Sequence, residues 1–305
     1  MASQPAGLSC AGELAKRGHS VTLYERRDLA GGLSTYGIIG LREPVEVALS
    51  EVAMIQQLGV KLQTGKEVGT DLHLADLQSS FQAIFLSVGL GNTTRLGIPG
   101  EEHILDGLEY IEQSKLHVHT LTVGRNVVVI GAGNTAIDCA TIAKRLGADR
   151  VTMIYRRTEN EMTAYPHEYD FIKSEGVAFE FLVQPVRVHS ESGSVKSLEC
   201  LRTTLGVTDS SGRPSPRTIP GSAFLLPADQ IVKAIGQQKP SVASLWNLKT
   251  EKGFIQVNDN FETSLSGIYA GGDCIRARGA ASTVMAVQDG KLAARAIQER
   301  LVGRG

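Results

Sequence analysis

The chain has 305 residues, 42% of them hydrophobic and 21% charged, with 33 glycines and a formal net charge of −1. That length accommodates two domains with buried cores, and the near-neutral charge removes the electrostatic footprint of a nucleic-acid binder. No apolar run reaches the ~20 residues that a membrane-spanning helix needs.

In chain order, Pro5-Ala-Gly7 leads into a helical stretch, Leu8 to Arg17, followed by Gly18. Ser20-Val-Thr-Leu-Tyr24 then reads as a strand ending in Glu25. This is the second half of a βαβ dinucleotide-binding unit. The first strand and first two glycines of its fingerprint have no counterpart, because only Met1-Ala-Ser-Gln4 precede Pro5. The chain therefore reads as cut short inside that site. Ala83-Ile-Phe-Leu-Ser-Val88 is an apolar run ending at Gly89.

The middle of the chain carries a complete unit. Asn126-Val-Val-Val-Ile130 reads as a strand buried on both faces. Gly131-Ala-Gly133-Asn-Thr-Ala136 follows, then apolar residues at helical spacing up to Leu146 and a helix-ending Gly147. Val151 to Tyr155 is the second strand. Beyond it, the region of about 177–203 reads as short antiparallel strands, and Asp209 to Pro220 as a surface loop. Gln230 to Ile235 is an apolar run before Gly236, Ile268-Tyr-Ala-Gly271-Gly272-Asp273 is a strand ending in a glycine turn, and Gln288 to Leu301 is a closing amphipathic helix.

These patterns carry chemistry. A G-x-G-x-x-A turn between a strand and a helix lets backbone approach a pyrophosphate at the helix N-terminus. Gly131, Gly133, Asn134 and Thr135 are the expected contacts. An acidic residue after the second strand would bind the ribose 2′-hydroxyl of NAD. Arg156-Arg157 stands there instead and suits the 2′-phosphate of NADPH, so NADH is the less favoured donor. The plain alternative is a solvated basic pair. In the N-terminal unit, Glu25 lies 18 residues after Gly7 and is placed to bind a second adenosine ribose, that of FAD. His167, within the Glu161 to Glu168 stretch, reads as a surface residue. Were a nicotinamide and a flavin to meet, hydride could pass directly between them, so no acid–base residue would be required. Cys10, Cys139, Cys200 and Cys274 are scattered with no CxxC. That argues against a redox-active disulfide of that type and against a clustered iron–sulfur site. Scattered thiols and the lack of a secretory leader point to the cytoplasm.

Pro5-Ala-Gly7-Leu-Ser-Cys-Ala11, Tyr24-Glu25, Ala30-Gly-Gly-Leu33, Tyr36-Gly37-Ile38, Gly131 to Asp138, Tyr155-Arg-Arg157 and Ala270-Gly-Gly-Asp273 occur in one order along nearly the whole chain. Together they resemble the FAD/NADPH portion of the glutamate synthase small subunit and of dihydropyrimidine dehydrogenase. The resemblance implies an α/β fold with two Rossmann-like domains of the pyridine nucleotide-disulfide oxidoreductase type. A discontinuous FAD domain, residues 1–98 and 239–305, would hold an inserted NADPH domain, 99–238. Gly7, Glu25, Gly32, Leu33 and Gly37 would line the FAD site. Asp273, after Gly272, would meet the ribityl-phosphate side, and the Thr283-Val284 backbone the isoalloxazine ring. Gly89 and Gly236 resemble the turns where chain crosses between the domains. Relatives of this type carry a cysteine-rich iron–sulfur domain that has no counterpart here. Electrons would therefore leave to an iron–sulfur subunit or domain in a hetero-oligomer. A ferredoxin–NADP reductase acting on a separate carrier and a flavin-free nucleotide-binding remnant are the competing readings.

Overall fold

A strand apolar on both faces needs cover on both. The Asn126–Ile130 strand, with Val127 to Ile130 all buried, has it. It is central in a parallel five-stranded sheet whose strands run, in spatial order, Leu105–Asp106, Gln230–Lys233, Asn126–Ile130, Arg150–Tyr155 and Ala178–Phe181. The register pairs Val128 with Ile231 on one side and Thr152 on the other. The Asn134–Arg145 helix covers one face with Ala136, Ile137, Ala140 and Ala143. The other face packs Val128, Ile130, Ile154 and Ile231 against Val183, Val188 and Leu198 of an antiparallel sheet.

The computed structural model describes residues 4–208, 212–276 and 282–303. The first three residues, and 209–211 of the expected 209–220 loop, lie outside them. The chain forms two compact units: one of Met1–Tyr36, Glu43–Asn92 and Gln237–Gly305, the other of Gly37–Arg42 and Thr93–Gly236. The boundaries sit a few residues from the expected 98/99 and 238/239, and the short Gly37–Arg42 segment groups with the second unit although its sequence neighbours belong to the first.

Four elements differ from their expected form. Ala178–Phe181 joins the parallel sheet instead of an antiparallel one. The Ser194–Thr208 strand is fifteen residues long, because the β-branched Thr203, Thr204, Val207 and Thr208 carry it on. Pro214–Thr218, expected to be loop, pairs with its far end. The closing helix starts at Thr283, five residues before Gln288, because the Ser282 hydroxyl caps it by accepting from the Met285 amide.

In the first unit, Thr22–Tyr24 pairs in parallel with Lys61–Gln63, and Ile84–Leu86 with Ile268–Ala270. Among the described residues no strand joins the two pairs. A cleft of about 170 Å³ opens there, lined by Leu14, Val21, Tyr24, Ile84 and Ile297. The Pro5–Lys16 helix begins with proline at its first position, where no amide partner is lost. It crosses the Thr283–Val302 helix through small residues. A Cβ on Gly290 would stand 2.3 Å from the Ala6 carbonyl oxygen and 2.9 Å from the Cys10 nitrogen.

Both obstacles are backbone, so neither rotates away. Gly290→Ala is expected to lower unfolding free energy by about 2 kcal/mol despite alanine's better helix propensity. Urea unfolding against wild type measures it, and an unchanged midpoint would show that the helices separate freely.

Candidate functional site

In the first unit the glycine turns converge on the start of the Pro5–Lys16 helix. That helix has Gln4 as its N-cap with no side-chain capping bond, so its leading amides face outward with the positive end of the helix dipole. Gly32 and Gly89 both have positive φ, 61° and 63°, and both surround Gln4: their ideal Cβ positions lie 2.9 and 2.6 Å from its side chain. Gly272, φ 80°, would bring a Cβ to 3.3 Å from that of Ala6. Gly7 is buried on the helix, and Leu33 opens a four-residue helix beside Gly32. This concavity of bare backbone at a helix start suits the diphosphate of a dinucleotide such as FAD.

Glu25 follows the Thr22–Tyr24 strand and is buried, and one carboxylate oxygen accepts from the Arg27 amide at 2.9 Å. A carboxylate at a strand end can accept ribose hydroxyls. Burial raises the Asp273 carboxyl above its ordinary value, with Arg276 opposing and Asp289 reinforcing the shift. Thr283 and Val284 open the twenty-residue closing helix and are exposed.

In the second unit, Gly131 has φ 141°, and a Cβ there would meet the Ala234 carbonyl oxygen at 2.3 Å. Gly133 is the N-cap of the Asn134–Arg145 helix, without a capping side chain. A strap lies over this turn. The Thr163 and Ala164 amides donate to the Ala132 carbonyl, and the Tyr165 amide donates to Asn134 Oδ1 at 3.0 Å. Asn134 thus holds the strap, while Thr135 stays half-buried beside it. Arg156 and Arg157 diverge. Arg156 is exposed, whereas Arg157 is only 3% exposed and its Nε donates to the Pro214 carbonyl at 2.8 Å. Gly37 groups with this unit. Gly236, φ 101°, accepts from the Thr94 amide, and in the first unit the Gly91 and Gln238 backbones bond to each other. His167 is exposed and stacks on Tyr165.

Two ionic groups built on buried acids had no role in the sequence reading. Asp289 Oδ2 accepts from the Gly272 amide at 2.9 Å and pairs with Arg276, fixing the turn that carries Asp273. Arg42 pairs with both Asp138 and Glu168. Asp138 ends a quoted motif, but nothing in the spacing marks its partners. All four cysteines are free and buried. Burial pushes the thiols of Cys200 and Cys274 up to about 12, and those of Cys10 and Cys139 higher still. No His, Cys, Asp or Glu cluster able to hold a metal occurs among the described residues. No helix among them is long and apolar enough to cross a membrane.

Comparison with known proteins agrees with this geometry. The pyridine nucleotide-disulphide oxidoreductase family matches residues 3–290. The NADP(+)-dependent formate dehydrogenase subunit beta of Moorella thermoacetica is 38% identical over 97% of this chain and 43% of its own length. The glutamate synthase [NADPH] small chain of Escherichia coli (strain K12) is 33% identical over 97% of this chain and 67% of its own. The chain thus spans less than half of the first relative. Among solved structures, Mycobacterium tuberculosis FprA in complex with NADPH superposes with a TM-score of 0.77 at 18% identity, covering 99% of this chain and 84% of that one. At that identity the likeness shows the fold alone.

Asp289→Ala leaves the Arg276 cation and the Gly272 amide without their partner. It is expected to lower stability by about 3 kcal/mol. Adding Arg276→Met should recover part of that loss. Urea unfolding of the single and double variants checks it, and a double variant no better than the single would deny the pairing.

Proposed function

The chain belongs to the pyridine nucleotide-disulphide oxidoreductase family, and on that premise we propose that it takes hydride from NADPH onto FAD and hands the electrons to an iron–sulfur partner. The observation that carries the reading is the presence of two separate cradles of bare backbone at helix starts, one in each unit. One dinucleotide cradle serves a dehydrogenase; two serve a chain in which one dinucleotide reduces another. FAD, when bound, supplies the exchange between a hydride and single electrons.

Gly7, Gly32, Leu33, Gly89 and Gly272 would cradle its diphosphate, and Glu25 a ribose. Asp273 would meet the ribityl side, and Thr283 and Val284 would place a helix start toward the ring. A helix N-terminus there favours the negative charge of reduced flavin. Gly131, Gly133, Asn134 and Thr135 would hold the NADPH pyrophosphate, and Arg156, the exposed member of its pair, the 2′-phosphate. Relatives described as beta subunits and small chains support a hetero-oligomer. Four buried thiols suit a reducing compartment such as the cytoplasm.

The test is an absorption spectrum of the purified chain, taken before and after anaerobic NADPH, then NADH. Flavin bands that bleach faster with NADPH are expected. Arg156→Ser should cut the preference for NADPH by about 10- to 100-fold, the worth of one charge-assisted bond. Arg157→Ser should act on stability instead. A protein that stays colourless after added FAD would overturn the reading in favour of nucleotide binding alone.

A further inference from the structure

Arg42 is the last residue of the six-residue Gly37–Arg42 segment that groups with the second unit. Its Nη2 lies 2.9 Å from Asp138 Oδ1, and its Nη1 donates to Glu168 Oε1. The two carboxylates are each 6% exposed, so one guanidinium serves two buried acids. The balance is incomplete in geometry as well as in charge. Asp138 Oδ1 is out of alignment for a hydrogen bond with Arg42, and Glu168 Oε2 has no partner.

The position of the cluster gives it meaning. Asp138 lies four residues into the Asn134–Arg145 helix, about 6 Å along the axis from its first residue. Glu168 lies in the first turn of the Pro166–Ser174 helix, directly after the 163–165 strap that crosses the glycine turn. An uncompensated carboxylate here would oppose an anionic ligand at the helix start through a medium of low dielectric.

We propose that Arg42 is a positioning residue for the pyridine nucleotide: it is the counter-charge of the Asp138–Glu168 pair beside the phosphate-binding end of the Asn134–Arg145 helix and fastens the strap over it. The inference rests on the reading that this unit binds NADP(H). It assigns Arg42 no contact with the ligand; it acts through the charge and placement of the two acids.

A pH dependence follows. The groups facing Asp138 are Arg42 from the segment, Glu168 from the next helix with His167 3.8 Å from it, and Cys139 on its own helix. Asp106 acts on Cys139, and Cys139 in turn on Tyr110. Burial holds the Cys139 thiol and Tyr110 phenol above their ordinary values, so both stay neutral. Burial pushes the Asp138 carboxyl up to about 7, with Arg42 opposing the shift and Glu168 adding to it. Below that pH the cluster is neutral. Above it the cluster gains one negative charge, and anion binding weakens.

The experiment is calorimetric titration of the full chain with NADP⁺ from pH 6 to 8.5, with thermal melting as a control for folding. Wild type should bind several-fold more weakly at pH 8.5 than at pH 6. Asp138→Asn should flatten that change; ionisation of the nucleotide's own 2′-phosphate is common to both proteins and cancels in the comparison. At pH 8, Arg42→Gln should weaken binding about tenfold because the strap loses its Arg42–Glu168 fastening, and Arg42→Lys less. Should Arg42→Gln fail to fold, the Asp138→Asn profile decides alone. Binding by Arg42→Gln within twofold of wild type, or an Asp138→Asn profile parallel to wild type, would overturn the proposal while leaving NADP binding intact. A wild type that binds no NADP⁺ at any pH would overturn both.

Discussion

A diphosphate can lie against a protein backbone only where no Cβ stands in the way, and the packing of both units follows from that requirement. In the second unit the Gly131 turn brings the Asn126–Ile130 strand within reach of the next strand's end: the space a Cβ would need is taken by the Ala234 carbonyl. In the first unit Gly272 sits against Ala6, and Gly290 against the Ala6 carbonyl. The second contact is set by the first. A helix start that must stay bare is held by close helix packing instead of by a large apolar cap. Ala6, Gly7, Cys10 and Ala11 on one helix, and Gly290, Ala293 and Ala294 on the other, are the small residues that allow it. Small-residue crossings bury little area per residue, but they fix the distance between helix axes closely.

Bare backbone turns have no side chains of their own to hold them, and buried ion pairs perform that task in both units. Asp289 holds the Gly272 turn through its amide, with Arg276 as counter-charge. Glu101 accepts from the Leu96 and Gly97 amides, both at 2.8 Å, and from Lys233. Burial would raise the Glu101 carboxyl, but those donors bring it down to about 2. A buried pair of this kind adds little net stability over an apolar replacement, yet losing one partner is costly. Its use is specificity of geometry: each pair selects one conformation of a loop. Arg42 differs in serving two acids, and that imbalance makes its cluster responsive where the other two are fixed.

Much of this was legible in the sequence because it rests on local pattern. The run of Val127, Val128, Val129 and Ile130, the glycines after it and the helical spacing beyond gave strand, turn and helix without ambiguity. Glu25 and Asp273 were legible as acids at strand ends. What was not legible depends on residues far apart in the chain. Arg42 and Glu168 are 126 positions apart, and their pairing with Asp138 has no local signal. Arg156 and Arg157 look equivalent as letters, but successive residues leaving a strand point to opposite sides. One reaches solvent and the other is buried against Pro214. The closing helix was read as too short because a capping serine at Ser282, not apolar spacing, decides where it begins. The long Ser194–Thr208 strand was read as short because Gly206 interrupts its outer half, and its pairing partner, Pro214–Thr218, has the composition of a loop.

The cysteines decide how a family that includes disulphide chemistry in its name is used here. Attack on a disulfide requires a thiolate within reach of its target. Cys10 and Cys274 are wholly buried in the first unit's cores, and Cys139 is wholly buried in the second unit's core beside Gly107. Cys274 even spends its thiol on the Gly271 carbonyl at 3.3 Å. Desolvation keeps each of them protonated, so they act as small apolar residues that let helices and turns approach closely. A chain built this way keeps the strand–turn–helix scaffold of its family but carries no thiol pair able to pass electrons onward. In the proposed reaction, reducing equivalents that arrive on a bound dinucleotide would leave from a bound dinucleotide. In the proposed reaction, the start of the Thr283–Val302 helix, where Thr283, Val284 and Met285 face solvent, would be the open part of the first unit's cradle.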